Sequence, residues 1–199
     1  MRVLQLLPEL KFGGVERGTV DLSEHLTKLG HQSAVVSAGG GLTEQLSNHG
    51  AKHFTLPIAK KNFLAIKQYK NLRDIYREFK PDIIHVRSRF PAWINVLALK
   101  GLSSSKPIVI STFHGLYSKP FYSKSMSYAN DIIAISKTVQ KYVFKNYDVD
   151  HSRVHLIYRG CDVDEFNTST PSEAWSNSWY KEFPQTSDKI LLTLPGRIT

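Results

Sequence analysis

Two adjacent glycines, Gly13 and Gly14, follow an apolar run at residues 3–7 and precede a segment of helical periodicity that carries Glu16 in its first turn. A strand, a glycine loop and a helix N-terminus together make an anion site. The first-turn N–H groups lack intrahelical acceptors, the helix dipole favours negative charge, and glycine removes the side chains that would keep a ligand away. A phosphate or carboxylate fits over such a pair, although a simple tight turn would use the same glycines. His114, in the run Thr112, Phe113, His114, Gly115, is the second candidate. An imidazole beside a glycine at a strand end can hydrogen-bond a ligand hydroxyl or an oxygen that exchanges a proton. Arg87, Tyr117, Ser136, Lys137 and Arg159 fall at or just beyond other apolar runs and are candidate cleft contacts with Glu16. His85 reads instead as a buried histidine tying a strand to a helix.

The elements that would position these residues are legible as alternating apolar runs and helix-like segments. Strand character occurs at residues 3–7, 33–37, 53–56, 83–86, 108–112, 132–135 and 154–157. Several runs are continuous in Val, Ile and Leu, the pattern of strands covered on both faces. The expected fold is therefore α/β, a Rossmann-like, doubly wound and mainly parallel sheet of about seven strands. Leu22, Leu26 and Leu29 share a face of the first helix, and Gly30 stops it. Residues 43–49 repeat the scheme before Gly50. A longer helix is expected over 64–79, burying Ile66, Leu72, Ile75, Tyr76 and Phe79 and ending before Pro81, with further helices at 92–102 and 137–146. In open parallel sheets, ligands bind beyond the carboxyl ends of the strands, where the glycine pair, Arg87, His114, Ser136 and Lys137 all fall.

Composition narrows the function classes. The chain has 199 residues, 41% of them hydrophobic, with a formal charge of +9 that favours acidic partners. Its single cysteine, Cys161, forms no internal disulfide and suits a reducing compartment, so a cytoplasmic location is expected. No 18-residue apolar span is present. No zinc-finger, RRM or basic-zipper pattern occurs, and nucleic acid is not an expected partner. A dinucleotide-binding dehydrogenase is disfavoured because Gly13, Gly14 and Gly18 do not form G-x-G-x-x-G and no acidic residue closes the second strand near Ser37.

Taken in order, these segments resemble the N-terminal domain of a GT-B glycosyltransferase of family 4, a large group of retaining enzymes. The resemblance covers nearly the whole chain. It rests on Gly13, Gly14, Val15 and Glu16; on residues 38–56; on K-P-D-I-I-H at 80–85; on Thr112 to Gly115; on I-A-I-S-K at 133–137; and on residues 154–166, which stand where the family has I-P-N-G-V-D-x-x-x-F. Pro195, Gly196 and Arg197 look like its interdomain G-R element. Tyr158 and Arg159 replace the usual Pro-Asn, and Arg87 stands where many members have a second histidine. The domain reading is a Rossmann-like unit at 1–166, a linker with a short helix at 167–188, and the first strand of a truncated C-terminal donor-binding domain at 189–199.

The resemblance implies a hexosyltransferase-like activity on a nucleotide-diphosphate sugar, with a glycan or glycolipid acceptor such as a lipid-linked or lipopolysaccharide glycan. It places the amides of Gly13 and Gly14 and the Arg197 guanidinium on the leaving diphosphate and His114 near the anomeric centre, as the catalytic residue. The isolated acceptor-side domain would be inactive alone, and a non-catalytic sugar- or nucleotide-binding module of the same fold is the alternative. No cofactor is implied. Asp162 with Asp164 and Asp148 with Asp150 spell D-x-D, a metal and nucleotide signature of a different sugar-transfer fold. Two occurrences so close together read as local turns, so no metal is expected.

Lys67, Lys70, Arg73 and Arg77 recur along the expected 64–79 helix, with Lys60, Lys61 and Lys80 at its ends and only Asp74 and Glu78 opposing them. Such a stripe suits either solvent or an anionic membrane surface on the inner face of the membrane, where each cation contributes up to about 1 kcal/mol. Liposomes containing anionic lipid should retain the chain at low salt and release it at high salt in a sedimentation assay. Indifference to lipid charge would remove the membrane from its partners.

Overall fold

A computed structural model describes residues 1–59, 63–102, 106–117, 120–164 and 170–192. Seven strands, β1 (Arg2–Leu6), β2 (Gln32–Ser37), β3 (Lys52–Thr55), β4 (Ile83–Val86), β5 (Ile108–Phe113), β6 (Asp131–Ala134) and β7 (Val154–Leu156), form one sheet in the order β3-β2-β1-β4-β5-β6-β7. Every pairing is parallel. The described α-helices are α1 (Gly14–Lys28), α2 (Thr43–Asn48), α3 (Phe63–Ile66), α4 (Tyr69–Phe79), α5 (Arg89–Leu99), α6 (Pro120–Ser123), α7 (Lys137–Asn146) and α8 (Glu173–Glu182), with short 3-10 turns at Lys124–Tyr128, His151–Arg153 and Pro184–Thr186. The strand order runs outward in one direction from β1 and in the other from β4. This is the Rossmann-like doubly wound arrangement, and its switch point lies between those two strands.

Side chains alternate across the strands, so both sheet faces need cover. Leu4, Leu6, Ala34, Val36, Ile84, Ile94, Phe113 and Ile132 belong to one apolar cluster, all of them fully buried. Val35 projects to the other face, where Leu7, Leu10, Val20, Leu42, Leu46 and Ala51 close a smaller cluster. Contacts divide the chain into Met1–Arg159 and Gly160–Thr199. In the second unit, α8 is capped by Ser172 and stacks Trp175 on Trp179 with ring centroids 5.5 Å apart. Residues 189–192 adopt no regular element, and Ile190 and Leu192 are almost wholly exposed. A strand requires a neighbouring edge to satisfy its backbone. Residues 193–199, including Arg197, and 165–169 of the expected linker lie outside the described residues.

Several local expectations are revised. The helix expected over 64–79 is two helices, α3 and α4, separated at Lys67 and Gln68, and Ile66 is exposed rather than buried. Leu29 is also exposed, because α1 turns Thr19, Val20 and Ser23 toward the sheet and Leu29 falls at its C-cap. The helix expected from Ala92 starts at Arg89, since Pro91 sits within the first turn, where its missing N–H breaks no intrahelical bond. Gly30 and Gly50 do stop their helices with φ of 76° and 79°.

The basic stripe is partly consumed by the fold. Arg73 donates from Nε to the Ala98 carbonyl at 3.0 Å and from Nη2 to the Leu97 carbonyl at 3.2 Å, closing the C-terminus of α5. Arg77 pairs with Asp74 at 2.7 Å, and Glu78 is drawn to Lys52. Lys60 and Lys61 lie outside the described residues. Among the described residues no helix is long and apolar enough to cross a membrane.

The loop that enters α1 is braced from the side by residues after β2. Ala38 donates to the Pro8 carbonyl, Leu10 to the Gly39 carbonyl and Leu42 to the Leu10 carbonyl, each at 2.9 Å. Gly40 has a φ of 151° and presses against the Leu10 backbone, leaving no room for a β-carbon. Gly40→Ala should therefore cost on the order of 1–3 kcal/mol in urea denaturation. Gly115→Ala, with open space around it, should change stability by less than about 0.5 kcal/mol.

Candidate functional site

The carboxyl ends of β1, β4, β5, β6 and β7 deliver the candidate residues to one rim of the sheet. Gly13, in extended conformation, is the N-cap of α1 and supplies no capping side chain. Gly14 opens the helix, and a β-carbon there would lie 2.7 Å from Arg159 Nη1. Arg159, two residues beyond Ile157 after β7, donates from Nη2 to His114 Nδ1 at 3.0 Å. Gly14, Arg159 and His114 thus form one contiguous cluster, although they are far apart in sequence.

That contact sets the state of the imidazole. Guanidinium nitrogens only donate, so Nδ1 accepts and the proton of the neutral ring resides on Nε2. His114 Nε2 is buried and has no hydrogen-bond partner in the described structure. Tyr117 braces the same turn. Its hydroxyl faces the His114 amide at 3.4 Å, its carbonyl accepts from Tyr142, its ring lies against Phe113, and Arg89 sits 4.7 Å from the ring centre.

Arg87 occupies the switch point itself, immediately after β4. It is buried at 7% exposure, and its Nη1 donates to Gln5 Oε1 at 3.1 Å while Nε is left without a partner. A β-carbon at Gly18 would be 3.3 Å from its Nη2, so this guanidinium also lies along α1, one turn below Arg159. Gln5 is fully buried within β1, and its amide donates to the Thr19 carbonyl at 3.0 Å and to Ser23 Oγ at 2.9 Å. Burial first, then the charge of Arg159, brings the pKa of Arg87 down to about 10, against the attraction of Asp21 and Glu16 through space. Neither guanidinium has an ion-pair partner among the described residues.

Other candidates take different roles. Ser136 caps α7 by accepting from the Val139 amide, and Lys137 is exposed beside it; among the described residues no hydrogen bond or ion pair joins either to the Gly14 cluster. His85 is buried, but it bonds Thr112 Oγ1 at 2.7 Å and so joins β4 to β5, a strand-to-strand tie where a strand-to-helix tie was expected. Asp162 and Asp150 each accept the amide two residues ahead, as local turns do. Gln5 and Gly18 were not singled out as site residues. A lone amide inside V-L-Q-L-L and a glycine four residues after Gly14 were the available signals. A cavity of about 610 Å³ lies at the opposite, amino end of the strands, lined by Arg2, His31, Gln32 and Glu78, and includes none of the candidates.

Residues 12–165 match the family described as Glycosyltransferase Family 4. A glycosyltransferase from Rickettsia africae is 30% identical over 94% of this chain and 50% of its own, with a TM-score of 0.77. Anabaena HepE in complex with UDP and glucose has 16% identity and a TM-score of 0.71, over 92% of this chain and 50% of its own. The lipopolysaccharide outer core galactosyltransferase WaaB has 16% identity and a TM-score of 0.67, over 87% and 49%. The chain spans about half the length of these solved structures. No curated protein matches it in sequence.

The surroundings of His114 also give it a pH signature. Burial first, then the charges of Arg87 and Arg159, push its pKa from 6.5 down to about 3. Burial likewise holds His85 well below its usual value. Below pH 6.5 the unfolded chain takes up protons that these folded imidazoles refuse, so stability falls as pH falls toward 3 and is unaffected by them above 6.5. Each shielded histidine adds a slope of up to about 1.4 kcal/mol per pH unit. Urea denaturation between neutral pH and about pH 5 should show a shallower loss of stability for His114→Gln than for the parent chain.

Proposed function

The chain belongs to glycosyltransferase family 4, and from that premise we propose that it is the acceptor-side half of a retaining, metal-independent transferase. The reaction would move a hexosyl group from a nucleotide-diphosphate sugar to a glycan or glycolipid acceptor. The observation that carries this reading is the convergence of the uncapped start of α1, Arg159 and His114 on the carboxyl rim of the sheet. Anabaena HepE, solved with UDP and with UDP-glucose, supports a nucleotide sugar as co-substrate. The net charge of +9 and the lipopolysaccharide substrate of WaaB support an anionic or lipid-linked envelope glycan as acceptor, reached from the membrane surface.

In this reading a second domain carries most of the donor and closes it over the rim. The bond from the anomeric carbon to the diphosphate oxygen breaks, the acceptor hydroxyl forms the new bond on the same face, and the departing diphosphate takes its proton. Negative charge grows on that diphosphate. First-turn amides at Gly13 and Gly14 are suited to receive it without a metal ion. His114 serves as a neutral hydrogen-bond donor to the sugar; with a pKa of about 3 it holds no exchangeable positive charge at neutral pH.

Joined to a donor-binding domain, the His114→Ala variant should lose about 10²- to 10³-fold in kcat, the scale of one lost donor to the reacting sugar or its leaving group. Its melting temperature should change little. Equal losses in turnover and in stability would make His114 a core residue, and the absence of nucleotide-sugar turnover by the joined protein would overturn the transferase reading.

A further inference from the structure

We propose that Arg159 and Arg87, laid along α1 across Gly14 and Gly18, form an oxyanion site through which this chain by itself binds a phosphate group. The inference deepens the transferase reading by assigning two cations from this half to a phosphate of the substrate. Its test needs no turnover, so the two can fail separately.

The first line of support is steric. Arg159 Nη1 occupies the space where any residue but glycine would put a β-carbon at the helix start, and Arg87 Nη2 does the same, less tightly, one turn on. Both glycines therefore admit a guanidinium group beside the helix. The second line is electrostatic. Two cations are gathered at the positive end of a helix dipole, which opposes cations, and neither has a carboxylate partner among the described residues. Asp21, three residues past Gly18, bonds Arg17 at 2.8 Å instead. The third line is independent of the helix end. Arg87 is 7% exposed, yet its Nε has no acceptor, a cost that a buried cation normally avoids. An oxyanion at this place would accept from the α1 amides and from Arg159 together, and its charge would offset that of Arg87.

Phosphate fits better than carboxylate because it presents oxygens in several directions to donors approaching from α1 and from β7. The phosphate could come from the diphosphate of the donor or from a phosphorylated acceptor, which share this chemistry.

Isothermal titration of the chain with pyrophosphate at low salt should give saturable binding. Arg159→Gln should weaken it about tenfold or more, as should Gly14→Ala, whose methyl group displaces Arg159 without disturbing the core. Lys145→Gln, which removes an exposed cation in the last turn of α7, should bind as the parent does. Displacement of pyrophosphate by UDP assigns the site to the donor, and displacement by glucose 1-phosphate with UDP ineffective assigns it to a phosphorylated acceptor. No saturable binding, displacement by neither, or equal affinities for parent and Arg159→Gln would overturn the proposal. So would a loss in Lys145→Gln as large as that in Arg159→Gln, which would mark general charge attraction.

Discussion

The contact on which the rim depends is the approach of Arg159 to the first turn of α1. It is possible only because Gly14 has no side chain, and it brings the end of β7 to the start of the helix that follows β1. The same guanidinium then reaches His114 at the end of β5. Three segments from separate strands thereby meet at one planar cation, which packs on Gly14 and donates to His114. The consequence for His114 is chemical as well as positional. Its tautomer is dictated by a donor on Nδ1, and its basicity is suppressed by burial and by two nearby positive charges.

Beneath that contact lies a polar seam in an otherwise apolar interior. Gln5 stands in the middle of β1, where its neighbours Leu4 and Leu6 are fully buried, and its amide serves three partners: the Thr19 carbonyl, Ser23 and Arg87. Burying such a group costs little when both ends are bonded and several kcal/mol when they are not, on the order of 1–3 for each unmet partner. The seam explains why α1 turns Thr19 and Ser23 to the sheet rather than its leucines. It also supplies an acceptor to the buried Arg87 at the switch point. Packing of Leu7 and Leu10 beside it and the Gly39 to Gly41 brace hold the entry loop in one place.

Much of this was legible in the residues. Seven apolar runs became seven parallel strands, Gly30 and Gly50 stopped their helices, and the glycine pair, Arg87, His114 and Arg159 did arrive at one rim. Periodicity failed where local contacts outcompeted it. The stripe expected to run unbroken along one basic helix is interrupted at Lys67 and Gln68, and Arg73 abandons solvent to close α5, because unpaired carbonyls at a helix end attract a nearby donor more strongly than water does in a half-buried groove. Ser136 looked available for a ligand and is engaged as a cap, a role that follows from its place before α7.

Sequence alone determined the layer architecture, the rim of the sheet on which the candidate residues gather and the family, because these follow from hydrophobic periodicity, glycine positions and ordered short motifs. Tertiary structure decided the pairings: that Arg159 meets both Gly14 and His114, that Arg87 is buried on Gln5, and that His85 bonds Thr112 across strands. These partners are separated by tens of residues in the chain. No local pattern encodes them, because they depend on strand order and register, which bring distant side chains within the few ångströms over which hydrogen bonds and charge act.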